Sequence, residues 1–434
     1  MTPRPDVAFG DALRFWTKLG FISFGGPTGQ IAIMHEEVVE RRGWLDESRF
    51  LHALSFCMLL PGPEAQQLAT YIGWLLHGVR GGIAAGALFI LPAAVLMLGL
   101  AWAYAALGDL AWVIDIVEGM SAAVVGIVVA ALVRIAPRGV RGPAGATIAI
   151  AVFVAANIVG LPYPWIVAAA ALTGALLGAG RMRVPDDSGD ALEPPVRPSA
   201  RRTMLTLLVG LSVWWLPLLA VAAATGIGSV YSEQALFYSK VAVVSFGGAY
   251  AVLAYVAREV IGRFGLSSTD VVAGLSLAET TPGPLILVLE FLGFLAAYRN
   301  PGSLPPAVAG TLGALVTLWA TFVPSFLWIF LGAPYVERLR ANRILRASFA
   351  AITAAVVGVI AGLALTVAIL VLFGETTTAE PFRIQIPVPV VGTIEPWSVL
   401  IAVAAFVAMV RFRVSVVWLV LTSAAVGLAL GAMT

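Results

Sequence analysis

The sequence predicts an all-α polytopic membrane protein of about thirteen transmembrane segments, built as two homologous halves of inverted topology with helices broken at Phe-Gly-Gly and Pro-Gly-Pro motifs. Three observations lead to this class. The 434 residues are 60% hydrophobic and only 12% charged, and many apolar runs are long enough to cross a hydrocarbon core of about 30 Å. The same short motifs recur in the same order in both halves of the chain. Lys and Arg gather in alternate loops, as they do on the cytoplasmic side of membrane proteins.

The repeat is carried by an ordered series of matches. Phe15, Lys18 and Ser23-Phe24-Gly25-Gly26 correspond to Phe237, Lys240 and Ser245-Phe246-Gly247-Gly248, and Glu37, Arg41 and Gly43 to Glu259, Arg263 and Gly265, all at a shift of 222 positions. After a one-residue deletion, Ser55 and Pro61-Gly62-Pro63 match Ser276 and Pro282-Gly283-Pro284. The "AAVVG" ending at Gly126 returns ending at Gly358, a match that would be weak alone in an Ala/Val-rich chain.

Apolar segments fall near 9–34, 50–78, 86–108, 117–136, 143–160 and 162–180, and again near 236–257, 271–298, 306–333, 347–373, 396–410 and 414–432. The halves are therefore 1–180 and 227–434, joined by a polar Pro/Asp/Ser-rich linker at 181–203, too polar to fold by itself, and an unmatched helix at 204–226. Seven crossings from a position to its counterpart invert the second half. With a cytoplasmic N-terminus most of the 26 basic residues lie inside, while Arg41, Arg42 and Arg49, with acids nearby, and Arg299 and Arg383 fall outside. A competing count makes each Pro-Gly-Pro segment a re-entrant hairpin, which brings Arg41 and Arg42 inside but changes the parity. No apolar stretch followed by a small-residue cleavage site opens the chain, so no cleaved signal peptide is expected.

Composition excludes several classes. The single Cys57 allows no intramolecular disulfide, and His35, His52 and His77 lack metal-site spacing, so neither metal nor cofactor is expected. A net charge of +2 with dispersed arginines argues against nucleic acid. No Ser/His/Asp constellation or nucleotide loop is visible, so an enzyme is not expected.

Broken helices in inverted repeats place substrate sites where unwound backbone exposes N–H and C=O groups. Gly25, Gly26 and Pro27, with Gly247 and Gly248, interrupt the opening helix of each half. Pro61, Gly62 and Pro63, with Pro282, Gly283 and Pro284, interrupt the second, and their last prolines suit the first turn of a new helix. Half-helices starting at Glu64 and Leu285 would then aim positive dipole ends inward, where an anion is stabilised. Lys18 and Lys240, the only lysines beside 24 arginines, lie one to two turns before the breaks; they either reach a bound oxyanion or snorkel at the two interfaces. Ser23, Thr28, Ser245, Gln66, Gln67, Thr280 and Thr281 are uncharged donors near the same breaks, or simply bond their own helices. Glu64, Glu279 and Glu290 are acids inside apolar segments and candidates for carrying a proton or coupling ion, or for static pairing.

At "FGGPTGQIAIMHEEVVERRGWLDESRF" and "LLPGPEAQQLATYIGWLLHGVRGG" the sequence resembles the chromate ion transporter family, specifically its long two-domain members, with a weaker second copy in "VSFGGAYAVLAYVAREV" and "TTPGP". The resemblance implies a bacterial inner-membrane carrier that exports chromate, a mimic of sulfate, and so confers chromate resistance. It points to Phe24, Gly25, Gly26 and Pro27, and to Pro61, Gly62, Pro63, Glu64, Gln66 and Gln67. The second half keeps Pro-Gly-Pro but replaces the acid-amide run by Leu-Ile-Leu-Val. The alternative is a carrier of the same build for sulfate or another oxyanion. The partners expected are the oxyanion and the lipid bilayer, with a homodimer as the assembly considered.

Overall fold

The structure, a computed structural model, describes residues 7–24, 26–181, 199–246, 249–336, 342–379 and 386–433. Gly25, Gly247, Gly248 and most of the 181–203 linker lie outside the described residues.

The first half opens with α1 (Phe9–Ile22), α2 (Gly26–His35), a π-helical turn (Glu36–Arg41) and α3 (Glu47–Cys57), followed by α4 (Glu64–Leu107). Asp46 caps α3 by accepting from the Arg49 N–H at 2.8 Å. Helix α4 is two helices merged across a kink, where His77 leaves helical geometry and Gly78 takes φ +66°. Then come α5 (Ala111–Gly139), α6 (Gly142–Asn157), α7 (Tyr163–Arg181) and the linking α8 (Ala200–Thr225). The second half contributes α9 (Val230–Val244), α10 (Ala249–Phe264), α11 (Ser268–Thr280), α12 (Val288–Arg299) behind a 3-10 turn at Leu285–Leu287, and α13 (Pro306–Gly332). It ends with α14 (Arg343–Leu372), α15 (Pro396–Arg411) and α16 (Val416–Gly431). Prolines at the first turn start α13 and α15. Strands β1 (Thr376–Ala379) and β2 (Ile386–Pro389) form an antiparallel ribbon, with Thr376 opposite Pro389, that the helix-oriented reading missed.

Among the described residues five helices are long and apolar enough to cross a membrane, and four shorter apolar helices accompany them. The chain divides into two compact units that each draw on both halves. The first comprises Met1–Trp102, Pro185–Ala249 and Thr281–Asn342; the second comprises Ala103–Val184, Tyr250–Thr280 and Arg343–Thr434.

In the first unit the segment near 9–34 is not one crossing. A continuous helix would set residues 15 and 44 roughly 40 Å apart at 1.5 Å per residue. Instead the rings of Phe15 and Trp44 meet at 5.1 Å, Arg42 lies over Phe15 at 4.9 Å, and Lys18 Nζ reaches Glu37 at 3.3 Å. The chain therefore reverses at Ser23-Phe24, which leaves helical geometry, and Arg41 and Arg42 share a face with Lys18 rather than opposing it. The segment near 50–78 also turns back, at Pro-Gly-Pro: His77 Nε2 lies 2.7 Å from the Val7 carbonyl and its ring meets Phe9 at 5.3 Å. Burying Trp16, Leu19, Phe50, Phe56, Leu68, Ile72 and Phe89 in one cluster holds both hairpins together.

In the second unit the halves exchange helices. Helix α5 of the first half packs on α15 and α16, and α14 of the second half packs on α6 and α7. The two "AAVVG" copies make equivalent contacts there. A Cβ on Gly126 would strike the Ala402 carbonyl on α15, and one on Gly358 the Ala149 carbonyl on α6. Small residues let such backbones approach closely in a membrane. Replacing either glycine by leucine should therefore cost about 1–3 kcal/mol and lower the thermal midpoint in detergent, with Gly99→Leu, which has open space, as the control.

Candidate functional site

The first unit brings the breaks of both halves together. The Gly62 N–H donates to the Ser245 carbonyl at 2.8 Å, and the Gly283 N–H donates to the Ser23 carbonyl at 2.8 Å. Each Pro-Gly-Pro glycine is thus bonded to the Ser-Phe-Gly-Gly serine of the opposite half. Gly62 has φ +133° and Gly283 φ +90°, backbone that favours glycine. Space demands it as well: a Cβ on Gly62 would lie 2.6 Å from Gln67 Nε2, and one on Gly283 would strike the Ala93 side chain.

Buried amides and hydroxyls surround these bonds. Gln30 Nε2 donates to the Gly283 carbonyl at 2.5 Å and to the Ser23 carbonyl at 3.4 Å. Gln67 Nε2 donates to the Pro61 carbonyl at 2.8 Å, Gln66 Nε2 to Thr70 Oγ1 at 2.9 Å, and Ser325 Oγ to Gln66 Oε1 at 2.5 Å. Ser325 also ends a hydroxyl stripe on α13, with Thr321 one turn and Thr317 two turns before it, all at most 2% exposed. Among the described residues the hydroxyls of Thr317 and Thr321 find no hydrogen-bond partner, and neither do Gln30 Oε1, Gln67 Oε1 and Glu290 Oε2. At 1.5 Å per residue the stripe runs about 12 Å through an otherwise apolar helix. Its far end touches α12 at Gly293, where a Cβ would strike Thr317 Oγ1 and whose carbonyl accepts from Gln234 Nε2 at 2.8 Å.

The other expected residues take varied places. Ser23 and Ser245 spend their hydroxyls on the Leu19 and Ala242 carbonyls of their own helices, so their main chains rather than their side chains join the breaks. Gly26 and Pro27 open α2, which also contains Thr28. Pro63 and Pro284 sit one position earlier than expected, just outside the following turns, where their carbonyls accept from the Gln67 and Leu287 amides. Glu64 begins α4, and Thr281 and Pro282 are buried before Gly283. Lys240 is exposed on α9. Glu279 and Thr280 end α11 in the second unit, where Glu279 accepts from the buried Tyr250 hydroxyl at 2.6 Å and Thr280 bonds its own helix. Sequence reasoning missed Gln30, Tyr250, Thr317, Thr321 and Ser325. The four-residue spacing of the last three was the signal available for the stripe.

Lys18 turns toward Glu37. The buried carboxylate of Glu37 holds Lys18 Nζ at 3.3 Å, Arg41 Nη1 at 3.2 Å and Arg42 Nε at 3.3 Å. Burial pushes the Glu37 carboxyl up, but hydrogen bonds and charge from Lys18 and Arg42 outweigh it and leave it below its ordinary value of 4.5. The second half keeps the Glu259–Arg263 pair at 3.4 Å in the matching place.

Hairpins, long apolar helices and a buried polar seam define a multi-pass α-helical membrane protein. The family profile described as "Chromate transporter" matches residues 10–175 and 232–428, and the chain belongs to this family. A "Probable chromate transport protein" of Synechococcus elongatus is 29% identical over 359 residues, 82% of this chain and 84% of the relative. The "Chromate transport protein" of Cupriavidus metallidurans is 27% identical over 366 residues, 84% of each chain. That of Pseudomonas aeruginosa is 28% identical over 360 residues, 82% of this chain and 80% of the relative. No solved structure matches the chain.

Two outcomes follow from this geometry. Gly62→Ala and Gly283→Ala should each destabilise the protein by about 1–3 kcal/mol through backbone strain alone, read as a lowered thermal midpoint. Because the folded Glu37 titrates below its unfolded value, its stabilisation is complete above pH 4.5 and is lost as pH falls through the lowered value. Glu37→Gln should accordingly be less stable at neutral pH and show a flatter acid limb in unfolding curves recorded from pH 6 to 3.

Proposed function

We propose that this protein is a secondary active transporter that exports chromate across the bacterial cytoplasmic membrane and so gives chromate resistance. The substrate class rests on the family and on the names of the three relatives. The observation that carries a transport site is the paired bonding of Gly62 to Ser245 and Gly283 to Ser23 beside the stripe of Thr317, Thr321 and Ser325. Hydroxyls and amides bind a tetrahedral dianion through neutral groups, firmly enough to select it and weakly enough to release it.

The topology of this reading is inverted, with the N-terminus cytoplasmic. Five long and four shorter apolar helices supply nine crossings, and the Ser-Phe-Gly-Gly and Pro-Gly-Pro segments supply re-entrant hairpins. Five crossings then separate equivalent positions, namely the second stretch of α4 and helices α5 to α8. Five is odd, so inversion survives the loss of both opening segments as spans. Arg41 and Arg42 join Arg14 and Lys18 on the cytoplasmic face, which strengthens the positive-inside pattern. The exchanged contacts of Gly126 and Gly358 and the two matched blocks support halves at 1–180 and 227–434. Coupling falls to Glu279, held by Tyr250, and to Glu290, each an acid enclosed among helices.

Uptake of radiolabelled chromate into inverted membrane vesicles, with and without a proton gradient, tests the reading. Native vesicles should accumulate chromate, the double change Thr317→Val and Thr321→Val should cut the rate about tenfold or more, and Glu279→Gln should remove the response to the gradient. Uptake untouched by the threonine changes removes the stripe from the path. Sulfate uptake without chromate uptake assigns the same architecture to sulfate.

A further inference from the structure

An open cavity of about 520 Å³ lies at the start of α1, lined among others by Asp11, Arg14, Phe15, Lys18, Arg42 and Trp44. Its chemistry is separate from the hydroxyl stripe. Among the described residues three cations, Arg14, Lys18 and Arg42, face two carboxylates, Asp11 and Glu37, and Arg41, which also reaches Glu37, is matched by Glu36, so the balance there is positive by one charge.

Arg42 is fixed in orientation as well as neutralised. Its guanidinium carbon sits 4.9 Å from the Phe15 ring centre and 5.1 Å from that of Trp44, and its Nε donates to Glu37. Three contacts fix the plane of the group. Among the described residues its two terminal amino groups have no ion-pair partner, and a planar pair of N–H donors matches two oxygens of an oxyanion. Lys18 is half exposed and gives Glu37 one of its three donors. Arg14 is 86% exposed and bound only loosely, at 3.5 Å, to Asp11.

We propose that this cavity is a capture site for a tetrahedral oxyanion, with Arg42 as the orienting donor and Lys18 and Arg14 as point charges. This deepens the transport reading by giving the oxyanion a first stop outside the buried stripe, and it answers why Lys18 faces Glu37. A soluble sulfate-like dianion and the phosphate of a lipid headgroup share the chemistry.

The test is calorimetric titration of sulfate into the full-length protein in zwitterionic nanodiscs at low salt, repeated with phosphatidylglycerol present. Arg42→Gln and Arg14→Gln should weaken binding, the former about tenfold or more. Asp11→Asn should tighten it about threefold by removing a like charge from the rim. Asp11 is exposed, and a misfolded protein does not gain affinity, so that gain separates a site from a structural defect. Affinity lowered by phosphatidylglycerol supports the cavity with the headgroup as occupant, and affinity unchanged supports it with the free ion. The proposal is overturned if native protein binds no sulfate, or if all three variants bind it as the native chain does. Chromate uptake in vesicles is scored separately: native uptake with an apparent KM unmoved by the two arginine changes sinks the capture site and spares the transporter, whereas absent uptake with charge-sensitive sulfate binding does the reverse.

Discussion

A helix inside a bilayer can be interrupted only where the amides and carbonyls it frees find other partners, because an unsatisfied group in hydrocarbon costs several kcal/mol. The paired bonds from Gly62 to Ser245 and from Gly283 to Ser23 meet that condition. Four interruptions that would each be unstable alone become mutually satisfying when two come from each half. Much else follows from this exchange. Glycine must stand at both donor positions, the hairpin tips must meet in one unit, and the polar side chains of Gln30, Gln66 and Gln67 gather where backbone is already polar.

A second constraint operates at the outer ends of the first hairpin. One carboxylate, Glu37, receives three cations from two parts of the chain, Lys18 on α1 and Arg41 and Arg42 after α2. The carboxylate is buried, so its charge is screened less than that of a surface pair. The cluster fixes the two ends of the hairpin side by side, and the aromatic rings of Phe15 and Trp44 hold Arg42 in the same place. Inner backbone bonds and outer ion pairs therefore clamp the same short helices from both ends, which suits helices too short to span a membrane independently.

The sequence made the helical framework legible because apolar length is a strong signal. The segment expected near 347–373 appears as Arg343–Leu372, and that near 306–333 as Pro306–Gly332. The breaks were legible too, since Gly and Pro mark them directly. Their consequence was not. Whether the chain continues or folds back at Ser23-Phe24 depends on contacts between residues such as Phe15 and Trp44, far apart in sequence. The serines were singled out for their hydroxyls, yet their carbonyls make the cross-links, and a carbonyl leaves no mark on residue identity. Thr317, Thr321 and Ser325 were overlooked because hydroxyls in apolar helices usually bond the preceding turn, and only the packing of α13 against Gly293 and Gln66 distinguishes these.

The exchange of helices in the second unit also imposes a schedule on synthesis. Gly126 is translated 276 residues before Ala402, against whose carbonyl it packs. At about 5–20 residues per second the groove on α5 waits tens of seconds for its occupant. During that interval its small residues face lipid, which is nearly as apolar as the helix that replaces it. The first half can therefore enter the membrane early while its final packing is deferred until the last helices of the chain arrive.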